Sequence, residues 1–245
     1  MNRTIASLTL RTLLGRRRAL LLLLLPMVLL LLTLVLRLLL DAQDRDDVAV
    51  GLLGTLALAT IVPLLALIAG TGALGTEIDD GSIVYLLSKP ISRHVIATTK
   101  VLVASAVTAV FGALPVFLAG LLLVGGQDSL ALAYGLAALM GGTAYCAAFV
   151  LLSVLNRNAV VIGLIYTLVW ETLIAGLVIG AGGISVQQWA LAVARAVVGP
   201  EAADGLDLTA AIRPQIAVTL LLAVAVLGTW FAGRRLRSLR LTSAE

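Results

Sequence analysis

Between Ala19 and Leu36 the sequence ALLLLLLPMVLLLLTLVL runs for eighteen residues without a charge. A helix of about twenty such residues crosses a hydrocarbon core about 30 Å thick. Lipid offers no hydrogen bonds to an open backbone, so a run of this kind is confined to a helix that satisfies its own polar groups. Comparable runs recur along the chain and leave no stretch for a soluble domain. Composition agrees: 12% of the 245 residues are charged, about half the share in soluble domains.

The runs predict an all-α polytopic membrane protein, one transmembrane domain over residues 1–245. Six spans are expected, at about 19–40, 48–74, 100–124, 130–155, 159–180 and 214–232. Pro214 suits a helix start, where its missing N–H costs little. The first run is longer than a signal-peptide h-region, and RLLLDAQD offers no small-x-small cleavage site, so a retained first span is expected. Cytoplasmic flanks carry the excess of Lys and Arg. With the N-terminus inside, 13 of the 17 Lys and Arg fall on or near the cytoplasmic side. Arg37, Arg45, Arg195 and Arg213 are left for the other side. An even number of spans returns the C-terminus, with GRRLRSLR, to the cytoplasm.

Two flanking segments show helical patterning. In residues 1–18, Ile5, Leu8 and Thr12 share a face while Arg3, Arg11 and Arg16 to Arg18 are available to headgroups. This fits an amphipathic helix on the cytoplasmic surface, with a disordered basic tail as the alternative. The outer segment 181–213 places Ile184, Trp189, Val193 and Val197 at helical spacing, with Gln187, Gln188 and Arg195 elsewhere, as expected of a short interfacial helix. Gly176 and Gly180 form a GxxxG, a packing signal between membrane helices.

Several chemistries lack their residues. One histidine and one cysteine make no ordinary metal site within one chain and allow no intramolecular disulfide. A hydrolytic triad would have to recruit His94, which lies in a basic loop. Neither lysine, Lys89 or Lys100, stands in a GxxxxGK[ST] phosphate loop, so any ATP has to be bound by another chain. The basic residues lie in short clusters beside apolar runs, which argues for topology signals and against nucleic-acid binding. No enzyme activity and no cofactor are expected in this chain. Glu171, inside LIYTLVWETLIAGLVIG, is the acid at membrane depth. Such a residue is a substrate-pathway or gating candidate, or else a hydrogen-bonding tie between helices; protonation, or a partner such as Tyr166, Thr172 or a neighbouring subunit, would relieve its charge.

The loop 75–99, GTEIDDGSIVYLLSKPISRHVIATT, is too long for a simple turn between helices. Glu77, Asp79 and Asp80 come first, and Gly81 stops the preceding helix. Ile83, Val84, Leu86 and Leu87 then resume an apolar stripe, which Pro90 ends. Ser92 caps a new helix running through Lys100 into the third span. The loop reads as a short amphipathic cytoplasmic helix that requires something to pack against.

Glu77, Gly81 and Ser82, followed by LLSKPISR and a lysine opening the next span, resemble the permease subunits of ABC-2 type transporters. The N-terminal LRTLLGRRRALLLLLLP is similar to their interfacial elbow and first span. The resemblance implies a transmembrane half that pairs with a second permease copy, identical or related, and docks on a separate ATP-binding cassette subunit carrying ATP and Mg. It also implies that the loop contains a coupling helix. By motif position Glu77, Gly81, Ser82, Leu86, Leu87, Ser88, Pro90, Ser92 and Arg93 belong to that transmission region, none of them catalytic. The expectation is a permease exporting a hydrophobic or amphipathic substrate across the plasma membrane of a prokaryote. Membrane lipid is its other partner. A secondary carrier and a non-transport membrane scaffold are the competing readings.

Overall fold

The structure, a computed structural model, describes residues 3–41, 45–79, 81, 92–125, 129–175, 181–206 and 208–238, and every regular element among them is helical. Helix α1 covers Arg3–Leu13 and α2 Arg16–Leu39. Helix α3 is a continuous rod of three segments, Arg45–Gly51, the wider π-type Leu52–Ile61, and Val62–Asp79. Helix α4 likewise joins Arg93–Thr108, the π turn Ala109–Ala113 and Leu114–Val124. Helix α5 is Leu130–Leu155, and α6 joins Ala159–Ile165 to the π-type Tyr166–Ile174. A 3₁₀ turn, Ala181–Ile184, leads into α7, Val186–Val198, then α8, Pro200–Gly205, and α9, Pro214–Ser238.

Two of the π segments end two residues before a proline, Pro63 and Pro115. Proline donates no N–H, and its ring pushes back the carbonyl one turn earlier, so a wider turn relieves the clash without breaking the rod.

Five of these helices contain stretches long and apolar enough to span a membrane: Ala19–Leu39, Arg45–Gly75, Arg93–Val124, Leu130–Leu155 and Pro214–Arg237. The third of these helices starts at Arg93, where Ser92 accepts a hydrogen bond from the Val95 N–H, and runs through Lys100 into the apolar run. The remaining expected span, 159–180, is described only as far as Ala175 and is helical to that point. The described part of α6 has segments of 7 and 9 residues, about 24 Å at 1.5 Å per residue. That is less than a full crossing, and residues 176–180, with their GxxxG, lie outside the described residues.

Helix α5 is the axis of the bundle, packed by α3, α4, α7 and α9. Small residues bring these helices together, since lipid supplies no hydrophobic drive for association. Gly70 of α3 lies against Cys146 and Phe149, Gly142 against Thr108 of α4, and Gly228 of α9 against Ala147. Helices α2 and α9 are peripheral: 22% and 28% of their apolar windows are buried, against 67% for α3. At one end of the bundle lie the close of α3, the start of α4, the α5–α6 turn and the end of α9, where His94 rests on Gly233. This is the basic end. At the far end Arg37 of α2 donates to the Leu122 carbonyl of α4 at 2.6 Å, and Arg45 donates to the Arg37 and Leu40 carbonyls.

Both flanking segments are helical, with different faces from those expected. In α1 the buried residues are Ile5, Thr9 and Leu13, one stripe at i, i+4 and i+8, while Leu8 and Thr12 are exposed. The helix packs on α3 and α4 as well as offering Leu8 and Leu10 outward. Helix α7 packs against the bundle along one face. Trp189, Val193 and also Gln187 are buried, Ile184 is exposed, and the helix leans on α5 and α9. The small residues Ala190, Ala192 and Ala194 permit that approach.

Candidate functional site

At the basic end α3 stops after Asp79, and Gly81 adopts φ +69, the left-handed conformation that glycine takes without steric penalty. Four residues earlier, Glu77 forms an ion pair with Lys100 of α4. Lys100 is 1% exposed, and its Nζ also donates to the Ala73 carbonyl at 2.7 Å. The pair and the carbonyl tie the last turns of α3 to the early turns of α4. An ion pair with one buried member has little screening, and losing one partner leaves a charge in the protein interior. Glu77, 21% exposed, thus turns a carboxylate oxygen toward the bundle while part of its side chain stays accessible.

Arg93, first in α4, is half-buried, and Ser92 caps the helix. The loop between these anchors carries the other coupling candidates: Ser82, Leu86, Leu87, Ser88 and Pro90 lie outside the described residues. Of the transmission set, the structure places the two ends of the loop, Glu77 and Gly81 on one side and Ser92 and Arg93 on the other. The partner of Glu77 was not identified from sequence, although a lone lysine inside an apolar helix is a signal that an acid stands nearby.

Toward the far end, Glu171 of α6 is 2% exposed. Its Oε1 accepts from the Tyr166 hydroxyl at 2.7 Å and from the Val186 N–H at 3.1 Å, and its Oε2 accepts from the Ser185 hydroxyl. Ser185 in turn is the N-cap of α7, accepting from the Gln188 N–H at 3.2 Å. The carboxylate thus sits at the start of α7, where unsatisfied N–H groups and the helix dipole favour negative charge. Tyr166 was an expected partner and is one. Thr172 is not: its hydroxyl donates to the Leu168 carbonyl of its own helix. Ser185 and Val186, fourteen and fifteen residues on, could be found only in three dimensions.

Glu171 also forms part of the wall of a cavity of about 490 Å³ between α3, α6 and α7. Thr55 and Thr60 of the α3 π segment, Thr172, Gln187 and Gln188 add polar atoms to an otherwise apolar lining. Gln187 Nε2 donates to the Gly54 carbonyl at 3.2 Å, so α7 is fastened to the same π segment. Among the described residues no cluster of three metal-ligating side chains occurs.

A family model described as ABC-2 family transporter protein matches residues 3–222. The chain belongs to the ABC-2 family. A search of curated proteins finds no match. The match takes in α1 through the first part of α9, and with it the Glu77–Lys100 clamp and the Glu171 network. This ABC-2 chain is a multi-pass membrane protein and a permease component of transport. The remainder of α9, from Ala223 onward, lies beyond the matched residues.

Proposed function

We propose that this chain is the permease subunit of an ATP-driven ABC exporter that moves a hydrophobic or amphipathic substrate, such as a lipid, peptide or drug, across the plasma membrane. ATP and Mg are held by a separate ATP-binding cassette subunit. Both chain termini face the cytoplasm, and two permease copies, identical or related, form the membrane part. The apolar outer face of α6, with Val161, Ile165 and Leu173 exposed, is available to the second copy.

The observation that carries this reading is the Glu77–Lys100 clamp. Because the two ends of the loop 75–99 are tied together by an ion pair with one buried member, a force applied to the loop reaches α3 and α4 as one body. Helix α3 carries that displacement through its π segment to the cavity it shares with Glu171. A two-state exchange between inward- and outward-open forms follows if the ATPase binds the two forms differently. Glu171 acts there as a gate: it fastens α7 to α6 at the rim of the cavity, and its release would free the outer helix to move.

The test is affinity purification of the full chain from mild detergent, with identification of co-eluting chains and assay of ATP hydrolysis. Co-elution of a chain with a phosphate-loop ATPase, in near-equal amount, is expected. A preparation that transports substrate with no such chain present would overturn the reading.

A further inference from the structure

The arginines at the end of α9 mark the side of the membrane but take no part in the clamp or the Glu171 network. Phe231, Arg234 and Arg237 recur at i, i+3 and i+6 on one face of the helix, and Arg235 stands beside them. Across from them, α5 contributes Leu151 and Leu155 just before Asn156 leaves the helical conformation. Together these residues line a groove of about 740 Å³ at the basic end of the bundle.

Its chemistry is divided by depth. Leu155 and Phe231 are 54% and 47% exposed, and Phe231 continues the exposed face of Leu227 one turn earlier in α9. The guanidinium groups begin one turn further out, and Phe231 to Arg237 advances about 9 Å along the axis, the step from acyl chain to headgroup. Arg234 lies over the Trp230 ring at 5.4 Å, which orients its guanidinium. Among the described residues no carboxylate forms an ion pair with Arg234 or Arg237. A purely topological signal needs positive charge near the span but no apolar groove on a second helix leading up to it.

We propose that this groove between the ends of α5 and α9 binds one anionic phospholipid. Leu151, Leu155 and Phe231 hold an acyl chain, and Arg234, Arg235 and Arg237 hold the phosphodiester. Basic pockets between membrane helices select anionic headgroups in this way, and guanidinium forks suit phosphate oxygens. The site is independent of the transport reading and requires only the membrane-spanning fold.

Native mass spectrometry of the full chain, with phosphatidylglycerol or phosphatidylcholine added, tests it. At least tenfold more phosphatidylglycerol adduct is expected, and the variant R234Q/R235Q/R237Q should lose that preference while R16Q/R17Q/R18Q keeps it. Equal loss in both variants, or none in the first, overturns the proposal. Millimolar inorganic phosphate should leave the adduct in place; displacement would mean a site for free phosphate. Should the triple variant fail to fold, the wild-type chain in nanodiscs still decides. Dibromo-phosphatidylglycerol should quench Trp230 more than dibromo-phosphatidylcholine at the same mole fraction, with Trp230→Phe removing the difference. Equal quenching by both lipids overturns the proposal.

Discussion

Lys100 is a residue whose position in sequence signals an acid nearby without naming it. It stands inside an apolar helix with its ammonium group against Glu77 and the Ala73 carbonyl. Removing one member of a buried pair strands the other, a loss of about 3–5 kcal/mol, whereas removing both is far milder. Lys100→Met should therefore lower thermal stability in detergent strongly, and Lys100→Met with Glu77→Gln should recover most of it. Additive losses in that cycle would mean that the two side chains do not act as a pair. Glu171 calls for a different pair of variants. Glu171→Gln keeps acceptor and donor capacity for Tyr166 and Ser185, so melting should be near wild type while transport falls. Glu171→Ala abandons the Val186 N–H and the Ser185 hydroxyl in the interior, at about 1–3 kcal/mol for each. Transport at the wild-type rate in Glu171→Gln would leave Glu171 a tie between helices and not a gate.

Among the elements, α5 shows most directly how the sequence yields close packing. A Cβ added at Gly70 of α3 would meet the Phe149 Cβ at 2.9 Å and the Cys146 carbonyl oxygen at 3.2 Å, while at Gly51 of the same rod nothing lies within 4 Å. Alanine is the better helix former by about 1 kcal/mol. Gly51→Ala should thus raise the melting temperature and Gly70→Ala lower it, by about 1–3 kcal/mol of overpacking. Thermal-shift measurements on the two variants check the difference in sign. Helices α1 and α7 illustrate the limit of pattern reading. Their existence was visible in spacing, but the buried faces were not, because an apolar environment of lipid and one of protein leave the same pattern in an amphipathic helix. Gln187 went to the interior because the Gly54 carbonyl was there to accept its hydrogen bond.

For the whole molecule, the Lys and Arg asymmetry makes a prediction about sides. In a Cys146→Ala background, Asn156→Cys in the α5–α6 turn should react with a membrane-impermeant maleimide only from the cytoplasm, and Glu201→Cys in α8 only from outside. Labelling of both from one side would reverse or break the topology. Wild-type Cys146, buried between helices, should not react from either side. The sequence alone determined the medium, the all-helical class and the resemblance to an ABC-2 permease, because the lengths of apolar runs and a local motif depend on neighbours along the chain. It determined the cap at Ser92 and the stop at Gly81 for the same reason. The tertiary structure decided the partners of the buried charges: Lys100 for Glu77, and Ser185 with Val186 for Glu171. A charge inside lipid needs a counterpart, but which residue supplies it depends on how helices far apart in sequence pack side by side.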